Sequence, residues 1–158
     1  MSGMSSMLTH DEYLGLAEFY TSKVWEFFFK DSLSVSEKDM ILNLAHGAAL
    51  IYSEHGENLD NVRSMWMLSR VYSISGWGEI ALHFAQKGLT LCDEHELGAF
   101  PRAFAHESAA RACALIGDKD NCRLHLKKAG DYGNEVTGEM EKQSLMEDLE
   151  EISKMISE

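Results

Sequence analysis

Arg70 and Arg111 are the side chains in this sequence best suited to holding a ligand. They stand 41 residues apart, in "LSRVYSISGWGEIALHFAQKGL" (68–89) and "FAHESAARACALIGDKDNCR" (104–123). Each has an aromatic residue nearby, Trp66 and Phe104. A guanidinium presents its donors as a planar fork that matches a carboxylate in bidentate fashion, so two of them could grip an acidic segment. Local pairing is the competing reading. Glu107 and Arg111 lie four residues apart, the spacing of a helix-surface ion pair, and Arg70 could stack on Trp66 or pair in the core. The residues alone leave both open.

Histidine chemistry is the second candidate. Seven are scattered along the chain: His10, His46, His55, His83, His95, His106 and His125. Glu79 and His83, Cys92 and His95, and Cys122 and His125 each lie about one helical turn apart. Zinc needs about four converging nitrogen or sulfur ligands. The two Cys-x-x-His pairs occupy unrelated positions, so no metal or other cofactor is expected. An enzyme reading would place His46, His83 or His106 with Glu107 in a pocket between helices. No Gly-x-Ser-x-Gly elbow surrounds Ser69, and "SGWGE" lacks the Gly-Lys-Ser/Thr of a phosphate loop. A non-enzymatic chain is expected.

Seven helices must position these residues. Thr9 and Glu12 have capping-box spacing before a helix over 10–30. Ser34 with Glu37, or Ser36 with Asp39, opens a second that Gly56 ends near 53. Asp60 is the expected N-cap of a third running to Ser75, and Gly76 and Gly78 bracket the turn into a fourth over 79–92. Pro101 suits the first turn of a fifth. The sixth spans about 119–130, closed by Gly130 and Gly133, and the seventh 138–157, with Leu145, Leu149, Ile152 and Ile156 on one stripe. A single proline and few β-branched runs agree with an all-α chain. At 158 residues it is one domain's length, with 1–9 expected to be disordered.

The middle of the chain repeats. With Gly76 set on Gly117, Leu68 falls on Ala109, Ser69 on Ala110, Tyr72 on Cys113, Ala81 on Cys122, Ala85 on Leu126 and Gly88 on Ala129. Small residues recur where two helices must approach closely. This pattern resembles the tetratricopeptide repeat, with Met65 and His106 where that family has tryptophan. "ALHFAQKGLTLC" and "FAHESAARACALIGDKDNCR" look like small bacterial tetratricopeptide-like proteins of unknown function. The resemblance covers 61–130 best. It implies a right-handed array of about three antiparallel helix pairs with residues 138–157 as a capping helix. It also implies that Trp66, Arg70 and Ser73, beside Phe104, Glu107 and Arg111, face a concave groove. The implied function is a protein- or peptide-interaction module, with an acidic or carboxylate-bearing partner.

Charge and composition restrict the other partners. The net charge of −12 disfavours nucleic acid, which demands Lys and Arg to replace phosphate counterions. Two acidic ends flank a slightly basic middle: residues 61–130 carry 7 acids, 9 bases and all five arginines. No apolar run nears the roughly 20 residues that span a bilayer, and "MSGMSSML" has no secretory pattern. With three cysteines forming no paired framework, a cytoplasmic location is expected. "WEFFFK" at 25–30 places four aromatics on more faces of a helix than a small bundle can bury. It is a candidate homodimer surface, or core. A structural homo-oligomer is thus a further alternative function.

Overall fold

The computed structural model describes residues 7–157, and those residues form seven α-helices and no strand. They are α1 (His10–Phe28), α2 (Val35–His55), α3 (Asn58–Ile74), α4 (Gly78–Glu94), α5 (Ala99–Leu115), α6 (Lys119–Gly133) and α7 (Glu139–Met155). The disorder expected over 1–9 falls at 1–6 outside the described residues; Thr9 is the N-cap of α1. No helix among the described residues is long and apolar enough to cross a membrane.

Caps set most of the boundaries. Thr9 Oγ1 accepts from the Glu12 amide at 3.1 Å while Glu12 returns to the Thr9 amide at 2.8 Å. Ser34 and Glu37 repeat the reciprocal pair for α2, at 3.2 and 3.0 Å. The expected N-cap Asp60 is instead one turn inside α3: its carboxylate accepts from the Glu57 amide at 2.9 Å, so Glu57 caps the helix and α3 starts at Asn58. Of the two glycines expected to close α6, Gly130 lies inside it and Gly133 ends it. The missing side chain of Gly133 leaves room for Leu145 of α7, and a Cβ there would sit 2.6 Å from Leu145 Cδ2. Pro101 lies in the first turn of α5, as expected.

The repeat seen in sequence recurs in the backbone. Gly76 and Gly117 both take left-handed φ, 81° and 80°, which glycine adopts without a Cβ penalty. At each, the next amide donates five residues back: Trp77 N to Tyr72 O and Asp118 N to Cys113 O, both 2.9 Å. The turn after α4 uses the same bond, Leu97 N to Cys92 O at 2.9 Å, with Glu96 in the left-handed position at φ 49°.

Packing follows the same period. Each of α1/α2, α3/α4 and α5/α6 forms a close pair, α2 meets α3, and α4 meets α5. The odd helices α3, α5 and α7 also touch in succession, whereas α2, α4 and α6 do not touch one another. α3, α5 and α7 therefore form one continuous layer. α5 sits among α3, α4, α6 and α7 and is buried continuously from Ala105 to Cys113. Alanines at 105, 109, 110 and 112 allow those neighbours to close on it from every side. Leu68, Ser69, Ala81 and Gly88 are buried, as are their counterparts Ala109, Ala110, Cys122 and Ala129; Ala85 is buried where its counterpart Leu126 is half-buried. Leu145, Leu149 and Ile152 fasten α7 over α5 and α6.

Candidate functional site

A groove of about 720 Å³ runs along the layer of α3, α5 and α7. Its walls come from α1, α2, α3, α5 and α7; α4 and α6 contribute no side chain. Aromatic rings pave it. Trp25 stacks on Trp66 with centroids 5.6 Å apart, and Phe28 and Phe104 meet Trp66 edge-on at 6.3 and 6.4 Å. Phe100 extends the row from Phe104 at 5.2 Å. Such offset and edge-to-face arrangements hold the rings in place and leave apolar faces for a guest.

This paving divides "WEFFFK". Phe27 and Phe28 pack against the core formed by Val24, Ile41, Met67, Leu68 and Val71. Trp25 and Phe29 stay exposed, Phe29 by 83%, and both line the groove.

Glu107 organises the charged end. It is buried on α5, and its Oε2 accepts from Trp66 Nε1 at 2.8 Å. Its Oε1 accepts from Arg70 Nη1 at 3.3 Å and from Arg111 Nε at 3.2 Å. α7 adds two acids. Glu151 Oε1 accepts from Arg111 Nη1 at 3.1 Å, and Asp148 Oδ1 lies 3.5 Å from Arg111 Nη2 and 3.7 Å from Arg70 Nη2. Burial works against the Arg111 charge, yet Glu107, Glu151 and Asp148 together raise its pKa above the ordinary value. Burial, and then the Glu107 charge, push Asp148 up to about 6 against the pull of Arg70 and Arg111.

The structure therefore brings four of the six sequence-derived residues into one hydrogen-bonded cluster: Trp66, Arg70, Glu107 and Arg111. Phe104 joins them through its contact with Trp66. Ser73 does not; its hydroxyl is buried without a hydrogen-bond partner and does not line the groove. The two guanidiniums converge on Glu107, so the carboxylates they grip are the chain's own. The local i,i+4 pair between Glu107 and Arg111 is present, and Arg70 lies 6.0 Å from the Trp66 ring centroid. Arg70, Trp66 and Phe104 line the groove, whereas Glu107 and Arg111 lie beneath it.

Two groove residues escaped the sequence reading. Asp148 follows Glu107 by the same interval of 41 that separates Glu107 from Trp66, so extending the repeat into α7 would have found it. Arg63 lies two turns before Arg70 on α3, exposed on the groove wall, with no carboxylate within 4 Å among the described residues. Seven-residue spacing on a helix is the signal that marks it.

The histidines disperse. His46 Nε2 and the Tyr72 hydroxyl are 2.8 Å apart, and both His46 and His83 pack on Phe84. His106 turns the other way, stacking on Tyr132 at 5.7 Å with its Nδ1 3.0 Å from His125 Nδ1. Burial and the neighbouring His125 lower the pKa of His106 to about 4. Neutral rings can share that contact because one donates and the other accepts. None of these histidines hydrogen-bonds Glu107. Among the described residues no three His, Cys, Asp or Glu side chains gather in a metal-holding group. All three cysteines are buried, and burial raises each thiol, Cys113 to about 11, away from nucleophilic thiolate character.

No family model matches this chain, and comparisons with curated proteins and with solved structures return no match.

Proposed function

We propose that this chain is a non-enzymatic interaction module, a tetratricopeptide-like right-handed array of three helix pairs with α7 as its cap. Its concave face receives a peptide segment of another protein. The observation that carries this reading is the aromatic-paved groove, in which Trp25, Phe28, Trp66 and Phe104 offer apolar faces beside Arg63 and Arg70. Burying one large aliphatic or aromatic guest side chain there would contribute about 2 kcal/mol, so several such anchors along the groove are needed to offset the cost of association. A catalytic role has less support, because His46, His83 and His106 do not gather around Glu107. Buried thiols suit a reducing cytoplasm.

Selection from a displayed library of random 12-residue peptides tests the reading. The expected binders carry aromatic or long aliphatic anchors and lose at least tenfold in affinity on Trp25→Ala, a change at a half-exposed ring that leaves the fold intact. A library that yields no binder dependent on Trp25 contradicts the proposal.

A further inference from the structure

The charged end of the groove suggests which guests it selects and when; this inference rests on the groove reading above. Around Asp148 stand Arg70 from α3, Glu107 and Arg111 from α5, and Glu151 from its own helix. α6 meets α7 through apolar side chains, Ala129 and Leu126, with the Tyr132 ring beside them. Three carboxylates thus share two guanidiniums, and they do not share equally. Glu107 and Glu151 hold the two arginines at 3.1–3.3 Å. Asp148 reaches them at only 3.5 and 3.7 Å, well beyond the roughly 2.7–2.9 Å of a good charge-assisted hydrogen bond. Of the three acids, Asp148 alone lines the groove. Arg70 beside it keeps 21% of its side chain exposed.

We infer that Asp148 occupies, loosely and within the same chain, the place of a guest carboxylate on Arg70, and that an acidic segment binds by displacing it while Asp148 takes up one proton from solvent. Charge balance requires the proton. Two guanidiniums face three acids, a guest carboxylate adds a fourth negative charge, and protonating Asp148 restores the sum. Burial beside Glu107 already holds the Asp148 carboxyl at about 6, so that proton is available near neutrality. Arg63, about 10 Å along the same helix face, takes a second guest carboxylate. The aromatic row between and beside the two arginines takes the guest's apolar anchors. The partner is therefore an acidic segment with interspersed aromatic or aliphatic residues. Its affinity falls about tenfold for each pH unit above roughly 6.5, the slope of a single linked proton.

The test uses histidine-free 12-residue peptides selected at pH 5.5 on the full chain, retaining those lost on Trp25→Ala. Their affinities are then measured at pH 5.5, 6.5 and 7.5 for the wild type and for Asp148→Asn. Expected binders are net acidic, bind the wild type about tenfold more weakly at pH 7.5 than at 6.5, and bind Asp148→Asn almost equally at all three. Calorimetry at pH 7.5 in buffers of different ionisation enthalpy then reads uptake of close to one proton by the wild type and none by the variant. Neutral or basic binders, or acidic ones whose pH dependence survives in Asp148→Asn, overturn the inference and leave the groove reading standing. Finding no Trp25-dependent binder overturns both.

Discussion

Arg70 and Arg111 hold the same position in successive helix pairs, 41 residues apart, yet they live in different surroundings. Arg111 is 7% exposed and is held by Glu107, Asp148 and Glu151. Arg70 is three times as open and faces the groove. The repeat gives both side chains one direction; the next helix in the layer of α3, α5 and α7 decides what covers them. For Arg111 that helix is α7, with two acids one turn apart. For Arg70 it is α5, whose Glu107 is shared, and the other side of Arg70 opens onto the groove. Equivalent positions in a repeating chain thus yield one enclosed arginine and one that keeps an open edge on the groove.

Truncating the two should separate them most strongly. Arg111→Ala leaves Glu107 buried with one charged partner fewer and should cost about 3 kcal/mol or more in urea unfolding, as does breaking other buried ion pairs. Arg70→Ala, with an exposed edge and Trp66 still donating to Glu107, should cost about half that. Equal losses would erase the distinction. It follows that Arg111→Ala reports on folding, and only Arg70 and Arg63 are useful probes of binding.

Asp148 sharpens the comparison through pH. Its folded pKa, near 6, is raised above that of an unfolded aspartate, so the folded state binds the proton more tightly. The favourable contribution is complete at low pH and is lost as pH rises from about 4 through 6. Asp148→Asn should therefore match the wild type near pH 4 and exceed it by about 1–2 kcal/mol at pH 7.5. A variant less stable than the wild type at pH 7.5 would mean that Asp148 is a net structural partner of Arg111.

Where the two units are alike, substitutions should cost the same. Gly76→Ala and Gly117→Ala each place a Cβ in the left-handed region, at φ 81° and 80° with open space around, and each should lose about 1 kcal/mol. A difference much above 0.5 kcal/mol between them would show that the turns are not interchangeable. The smallest effect belongs to the third turn of this kind, where Glu96→Gly removes the left-handed strain of a residue with a side chain. A gain of about 0.5 kcal/mol is expected by thermal unfolding.

Much of this architecture was written in local signals. Thr9 with Glu12 and Ser34 with Glu37 marked helix starts because a reciprocal pair of hydrogen bonds needs only three residues of sequence. The 41-residue alignment of Gly76 with Gly117 foretold the matched turns. Asp60 was misplaced for a physical reason: a carboxylate accepts forward, from an amide two or three residues on, when it caps a helix and backward, from the cap residue's amide, when it is the third helical residue, and sequence does not say which way it folds. The identity of the acid on Arg70 and Arg111 was less legible. It depends on α7 folding back over α5, a tertiary contact set by Leu145, Leu149 and Ile152, which a polar cap and a groove-lining helix would carry equally. Ser73 was carried to the groove by resemblance alone, and its buried hydroxyl lies off it.

The indole N–H resonances offer the most direct test of the docking face, since the chain carries its own control. Trp25 and Trp66 stack in the groove, whereas Trp77 is exposed in the turn between α3 and α4. On addition of a selected acidic peptide at pH 5.5, the account predicts that the Trp25 and Trp66 signals of a ¹⁵N-labelled sample move together while Trp77 stays still. Movement of Trp77 with Trp25 and Trp66 unchanged would place the binding surface elsewhere and contradict it.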